Sequence, residues 1–159
     1  MSTLDERRAA LKRRRKLPEL DRRREATQAT VNKFKGLPFD WSEGRHCVRM
    51  AHYHLRQMGW RSPKLPTIPR VRSPLAAKKA LKDKGFDSVT EWLDSILERI
   101  PPAMMLLGDI AVTPGDHGLD AILICTGDRG VLGWLPDGSE AVVMLDCNLD
   151  DITGAWRVR

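Results

Sequence analysis

The stretch from Phe39 to Gly59, FDWSEGRHCVRMAHYHLRQMG, decides the fold, because it joins an aromatic turn to a helix with a cysteine in its first turn. We predict this helix over about residues 43–58, with Gly59 at the position after its C-cap. Apolar side chains recur along it at helical spacing: Cys47, Met50, Ala51, Leu55 and Met58. The stripe places Cys47 on the core-facing side and at the positively polarised end of the helix.

Cys47 has two interpretations on the residues alone. The free N–H groups and partial positive charge of a helix N-terminus favour a thiolate, which is the nucleophilic form of cysteine. A small cysteine on an apolar helix face is more often a core residue. The sequence around Cys47 leaves both interpretations open.

Composition indicates one domain with an appendage, since the chain has 159 residues and a net charge of +6 that is concentrated at one end. Residues 1–35 hold 12 Lys+Arg and 5 Asp+Glu, a net +7, so the remaining chain carries −1. Three cysteines without a CxxC spacing argue for a reducing compartment rather than a disulfide framework. We expect no membrane association and no signal peptide, because neither a long apolar run nor an h-region is present.

Residues 1–35 are predicted to form a basic helical arm, and residues 36–159 an α+β domain. A capping box at Thr3 and Glu6 opens the first arm helix, and Pro18 separates it from a second one. The arm is open to three interpretations: a solvated helix pair, a docking element for a partner protein, or a nucleic-acid contact. Nucleic acid is the weakest of these, because the basic run has no interleaved aromatic residues.

The rest of the chain is predicted to place helices first and a strand meander after them. A proline-rich extended segment over residues 60–74 leads to a helix that begins at Pro74 and to a capped helix over residues 89–100. Five strands are predicted over about residues 104–113, 119–126, 130–135, 141–146 and 155–158. Helices followed by a meander indicate an α+β fold with an antiparallel sheet.

Several short motifs in order resemble a phage-encoded domain family of unknown function that is similar to the NlpC-type cell-wall cysteine peptidases. The motifs are Pro38-Phe-Asp-Trp41, Cys47, Met58-Gly59, Gly85-Phe86, Pro101-Pro102, Gly108-Asp109-Ile110 and Ala155-Trp156-Arg157-Val158. The resemblance covers about residues 27–159. It implies a papain-like NlpC-type fold, a nucleophile position at Cys47, a Gly-Asp strand start beside the site, and a setting at the tail tip of a tailed phage or prophage.

The sequence departs from the peptidase pattern where the catalytic base is expected. In the peptidases a histidine begins the strand after the Gly-Asp motif, and here that position falls on Leu119. His117 lies two residues earlier in a loop and is the candidate base if the loop folds back. The third polar residue, which would orient the base, falls near Gly133 and Trp134. Acyl transfer needs a general base, so this pattern predicts a degenerate site.

The other candidate residues carry structural interpretations. His46, His52 and His54 are expected to be surface or half-buried polar residues, and His54 is a weak alternative partner for Cys47. Their spacing with Cys47 fits no familiar zinc site, so we expect neither a metal nor a cofactor. Asp109 is expected to be a structural cap or strand-edge residue.

These observations favour a structural component of a phage tail tip built on an inactive peptidase domain. The alternative is an active cysteine peptidase or amidase that cleaves peptidoglycan stem peptides during host cell entry, with Cys47 as nucleophile and His117 as base. The expected partners are other phage tail proteins, which would be contacted through the arm and the domain surface, with peptidoglycan as a further candidate. The expected location is the virion, assembled in the host cytoplasm.

Overall fold

The computed structural model describes residues 3–115 and 118–159, and these form five helices and one sheet. The helices are α1 (Leu4–Arg15), α2 (Glu19–Phe34), α3 (Cys47–Gln57), α4 (Pro74–Asp83) and α5 (Val89–Ile96). The strands are β1 (Glu98–Ile100), β2 (Ile110–Thr113), β3 (Ala121–Gly127), β4 (Gly130–Trp134), β5 (Ala141–Met144) and β6 (Gly154–Arg157). None of the helices in the described part of the chain is both long and apolar enough to cross a membrane.

The sheet is antiparallel throughout and has the strand order β1-β6-β2-β3-β4-β5. Its central strand β2 pairs Ile110 with Ile124 of β3 on one side and with Trp156 of β6 on the other. Both isoleucines and the tryptophan are fully buried, so the main core lies between this face and the helices. The predicted α+β class with an antiparallel sheet is confirmed.

Three predicted boundaries are wrong. The helix predicted over about residues 43–58 begins only at Cys47, because His46 is its N-cap and the chain before it turns back to pair Asp40 with Arg45. The helix predicted over residues 89–100 ends at Ile96, since Glu98–Ile100 pair with the edge of β6 and form β1. The strand predicted over residues 104–113 begins only at Ile110. Before it, the Leu106 N–H donates to the Asp109 carboxylate, and Gly108 adopts a left-handed φ of 89°, which closes a turn in place of a strand.

α2 and α3 pack against each other and cover the sheet. α3 buries Met50, Ala51 and Leu55, as its apolar stripe predicts. α2 contributes Ala26 and Phe34 to the same core. The basic residues of α2 therefore belong to a helix that is packed onto the domain along its length.

α1 is attached differently from α2, because it buries none of its residues. Its contacts are polar: Arg13 pairs with Glu25 at 3.0 Å, and Arg14 donates to the side chain of Gln57. The exposed pair of Arg13 and Glu25 stabilises the fold by less than about 1 kcal/mol, and the bond from Arg14 to Gln57 is half-buried. The division between an arm and a domain at residue 35 stays a prediction.

A buried ion pair joins α2 to the turn before β2 and to the end of the chain. Asp109 is fully buried and accepts four hydrogen bonds, from Arg23, Leu106, Arg157 and Val158, at 2.8 to 3.0 Å. Arg23 is 3% exposed and also donates to the carbonyl groups of Leu107 and Val158. Neither charge is left without a partner, which is the condition for tolerating charges in a core.

We expect Asp109→Asn to lower the free energy of unfolding by about 3–5 kcal/mol, because it removes the buried counter-charge of Arg23 and leaves only the exposed Glu19 as its partner. Urea denaturation measures this change. The matched control is Asp21→Asn, which removes an exposed partner of Arg24 and should cost less than about 1 kcal/mol. Equal effects of the two variants would contradict the role assigned to Asp109.

Candidate active site

Cys47 is the first residue of α3, and its thiol points at the entry to β3. The Cys47 Sγ lies 3.8 Å from the carbonyl oxygen of Asp120, to which the thiol donates a weak hydrogen bond. The backbone N–H of Ile122 is also directed at the sulfur. The helix N-terminus and the start of β3 therefore meet at this side chain, and the role of Cys47 as a nucleophile stays a prediction.

Two opposing effects act on the Cys47 thiol. The backbone N–H groups of Ile122, Cys47 and Val48 favour the thiolate, whereas burial against the core disfavours any charge there. Burial is the larger effect, and the Asp120 carboxylate adds to it, so the pKa of the Cys47 thiol is raised above its usual value. At neutral pH the side chain is a thiol, which is not the nucleophilic form.

We expect alkylation of Cys47 in the folded protein to be slow at pH 7 and to rise with a midpoint above the ~8.5 of a free thiol. Iodoacetamide labelling against pH, read at the Cys47 peptide by mass spectrometry, gives this midpoint. The same peptide in the urea-unfolded protein is the reference for an unperturbed thiol. A midpoint below that reference would show that the helix N-terminus outweighs burial.

The residue at the expected base position, Leu119, has no group that could accept a proton from Cys47. Leu119 is buried, and the Asp120 carboxylate accepts a hydrogen bond from the Thr90 hydroxyl at 3.1 Å. His117, the candidate base, lies outside the described residues. Its role, and the assignment of the base position to Leu119, stay predictions.

The histidine next to Cys47 is held by other contacts. His46 is the N-cap of α3, and its Nδ1 accepts a hydrogen bond from the Arg49 N–H at 3.2 Å. Its ring stacks on Trp41 with a centroid distance of 4.7 Å. Burial and the nearby Arg49 lower the pKa of His46 to about 4, so it is neutral and serves as a cap.

His54 is buried in the core between α2 and the turn before β2. Its Nε2 lies 2.8 Å from the Gly108 carbonyl oxygen, and its Nδ1 lies 2.8 Å from the Thr30 hydroxyl. A carbonyl only accepts, so Nε2 carries the proton, and the neutral ring then accepts from Thr30 at Nδ1. Burial lowers the pKa of His54 to about 4, which keeps the ring in this form.

The expectation that the helix histidines are surface or half-buried residues is therefore wrong for two of them. His46 is 1% exposed and His54 is fully buried, whereas His52 is half-buried and lies 3.2 Å from the Pro66 carbonyl oxygen. The signal was present for His54, which falls between Met50 and Met58 on the apolar stripe. With both ring nitrogens engaged, His54 is not placed to accept a proton from Cys47.

His54 makes stability depend on pH. Its pKa falls from 6.5 in the unfolded chain to about 4 in the folded state, so between these values only the unfolded chain binds the proton. The free energy of unfolding should therefore drop as pH falls from 6.5 to 4, by about 3 kcal/mol from His54. Chemical denaturation across this range measures the slope.

The matched pair for this slope is His54→Gln and His52→Gln. The first substitution removes one of two buried histidines with a pKa of about 4 and should roughly halve the dependence, because His46 still contributes. The second substitution removes a half-buried histidine and should retain most of it. Identical slopes in wild type and His54→Gln would show that His54 is not the proton-linked group.

An aromatic cluster covers the approach from β4 to the start of α3. It consists of Phe34, Phe39, Trp41, Tyr53 and Trp134. Trp134 packs edge-to-face on Phe34 and Phe39, and its indole N–H donates to the Leu37 carbonyl at 3.0 Å. In a peptidase, the polar residue that orients the base is expected near Gly133 and Trp134. Here the Trp134 indole is bound to the turn before α3 instead.

Asp109 has the structural role expected for it, since its four hydrogen bonds go to the groups that close the fold. Across residues 3–115 and 118–159, no three His, Cys, Asp or Glu side chains come together as metal ligands would. The residues brought together at the site are therefore Cys47 and the backbone of β3, with His46 and Trp41 beside them.

Comparison with known proteins gives one family and a set of structural relatives. A family profile described as "Domain of unknown function (DUF6950)" matches residues 18–158. An NlpC/P60 family protein from Bacillus cereus superposes with a TM-score of 0.54 at 17% identity, over 91% of this chain and 42% of that one. The peptidoglycan hydrolase RipB from Mycobacterium tuberculosis superposes with a TM-score of 0.52 at 15% identity, over 99% of this chain and 86% of that one.

Among curated proteins, the flap endonuclease Xni of Vibrio atlanticus is 29% identical over 94 residues. The match covers 56% of this chain and spans only 35% of that relative. The structural similarities, at identities of 15% and 17%, establish the fold alone. The chain has an NlpC/P60-type α+β fold, as the resemblance implies.

Proposed function

Because the chain belongs to the DUF6950 family of domains of unknown function, and because its fold is that of NlpC/P60 proteins, we propose that it is a catalytically inactive NlpC/P60-like domain that serves as a structural component of a phage tail tip. The main observation in support of an inactive site is the environment of Cys47. Its thiol is kept protonated by burial and faces the backbone of β3 beside Leu119.

The chemistry of the fold explains why this environment is decisive. A cysteine peptidase needs a thiolate, a base that takes and returns a proton, and a group that orients the base. Each of the three histidines in the described part of the chain is held by a contact elsewhere, at Arg49, Pro66 or Gly108. The indole of Trp134 binds Leu37 and offers a ring imidazole no acceptor.

The tail-tip location is supported by the ordered set of motifs shared with a phage-encoded family, from Pro38 to Val158. The exposed polar face of α1 fits a docking role, because a helix with no buried residues gains stability from a neighbour rather than from its own domain. The peptidoglycan hydrolase RipB shares the fold, and retained peptidoglycan contact is the corresponding proposal for the domain surface.

Activity is tested with wild type, Cys47→Ala and His117→Ala on purified sacculi and on a synthetic stem peptide. RipB, run alongside, shows that the substrates are cleavable. We expect wild type and His117→Ala to release no more new amino groups than Cys47→Ala, which serves as the background. Release that requires both Cys47 and His117 would overturn the inactive assignment and identify an active peptidase with a loop histidine as base.

Location is tested on purified tail particles of a phage or prophage that encodes the chain. Mass spectrometry should detect the protein in particles, and chemical cross-linking should join Lys12 of α1 to another tail protein. Absence from particles would refute the structural role whatever the outcome with sacculi.

A further inference from the structure

We propose that the chain binds a phosphate group in a basic cavity where the end of α1, the start of α2 and the loop after α3 converge. This basic cavity has a volume of about 280 Å³. Its charged lining consists of Arg15, Arg22, Arg61, Lys64 and Arg159, with Met58, Gly59, Trp60, Ser62 and Pro63 between them. The proposal is independent of the function proposed for the Cys47 site.

The lining carries five cations and no carboxylate side chain. Only two of the five have charge or ring contacts: Arg159 reaches Glu98 at 3.2 Å, and Lys64 lies 4.9 Å from the Trp60 ring centroid. Within the described part of the chain, the guanidinium groups of Arg15 and Arg22 make no ion pair and no hydrogen bond. A concave surface with charge of one sign and low-dielectric walls concentrates the opposite ion.

Two donors in the cavity wall are both buried and unsatisfied. The Nε atoms of Arg15 and Arg22 are shielded from solvent and have no hydrogen-bond partner. The neighbouring Arg23 shows the usual solution, because its buried guanidinium is paired with Asp109 and with two carbonyl groups. Arg15 and Arg22 are themselves half-buried, and their terminal N–H groups have no partner in the described part of the chain, so an oxyanion in the cavity would meet unpaired charged donors.

The backbone is shaped to keep these arginines close. Gly59 has a φ of 104°, and a Cβ at this position would lie 3.2 Å from the Cγ of Arg15. The glycine therefore lets the loop after α3 approach the end of α1. The Trp60 indole donates to the Arg159 carbonyl at 2.9 Å and fixes the opposite wall.

The chemistry of the lining selects an oxyanion with several negative charges. Guanidinium groups bind phosphate through two parallel N–H···O bonds, and a phosphate offers acceptors in several directions at once. A single carboxylate would neutralise only one of the cations. A free phosphoanion and a phosphodiester share this chemistry, and the two sources are separated by the probes below.

The test uses the full chain and inorganic pyrophosphate as the first probe, with sodium chloride added to equal ionic strength in every sample. Pyrophosphate should raise the thermal midpoint in a concentration-dependent way, because a ligand that binds only the folded state stabilises it by mass action. The double variant Arg15→Gln/Arg22→Gln should lose about ten-fold or more in apparent affinity. A single-stranded oligonucleotide is the second probe.

The matched control is Arg8→Gln/Arg24→Gln, which removes the same charge from exposed positions of the same two helices. It should bind pyrophosphate with wild-type affinity within about two-fold. If the Arg15/Arg22 variant fails to fold, Arg61→Gln/Lys64→Gln tests the same cavity from its exposed loop and should also weaken binding. Oligonucleotide binding with the same sensitivity to both variants would assign the site to a phosphodiester.

The proposal is overturned if neither probe shifts the midpoint of the wild type at matched ionic strength. It is overturned equally if the Arg8/Arg24 control loses as much affinity as the cavity variants, because binding would then follow net charge rather than this site. The proposal is also overturned if both cavity variants bind pyrophosphate as tightly as the wild type does.

Discussion

The fold depends on one buried charge. Asp109 lies at the start of the central strand β2. Its carboxylate accepts hydrogen bonds from the guanidinium groups of Arg23 and Arg157 and from the Val158 N–H. Through these bonds it fixes α2 against the sheet and holds the last strand beside the second. The same turn is held from α3, since His54 donates to the Gly108 carbonyl. Both covering helices are thus located by polar contacts to two adjacent residues, within an otherwise apolar core.

The Cys47 site illustrates how position and environment can oppose each other. The start of a helix is where a cysteine nucleophile is expected, and the backbone N–H groups there do favour the thiolate. The surrounding side chains decide otherwise, because burial disfavours the charge more strongly. The pKa of this thiol therefore follows its burial rather than its place at the start of a helix.

The helices and strands that could be predicted from the sequence are those marked by hydrophobic periodicity and by capping residues. The α3 stripe, the capped start of α5 and the consecutive hairpins from β2 to β5 are local signals, and each corresponds to an observed element. The last strand, β6, does not extend the predicted meander, because it pairs with β1 and β2. Arg23 was not singled out, because a run of three arginines gives no sign that the middle one turns inward toward an aspartate 86 residues away. The strand Glu98–Ile100 was missed for the same reason, since its conformation is set by the edge of β6.

The separation of these partners along the chain has a consequence for folding during synthesis. Arg23 contacts Asp109 across 86 residues and Val158 across 135, so α2 cannot complete its polar contacts until the last strand has left the ribosome. Until then an arginine that will be buried remains hydrated, and α2 and α3 can associate only loosely through apolar side chains. High contact order of this kind slows folding and prolongs exposure of unfinished surfaces. The nascent helices α2 and α3 therefore present their apolar faces for most of translation, which makes them the segment on which chaperones have most to act.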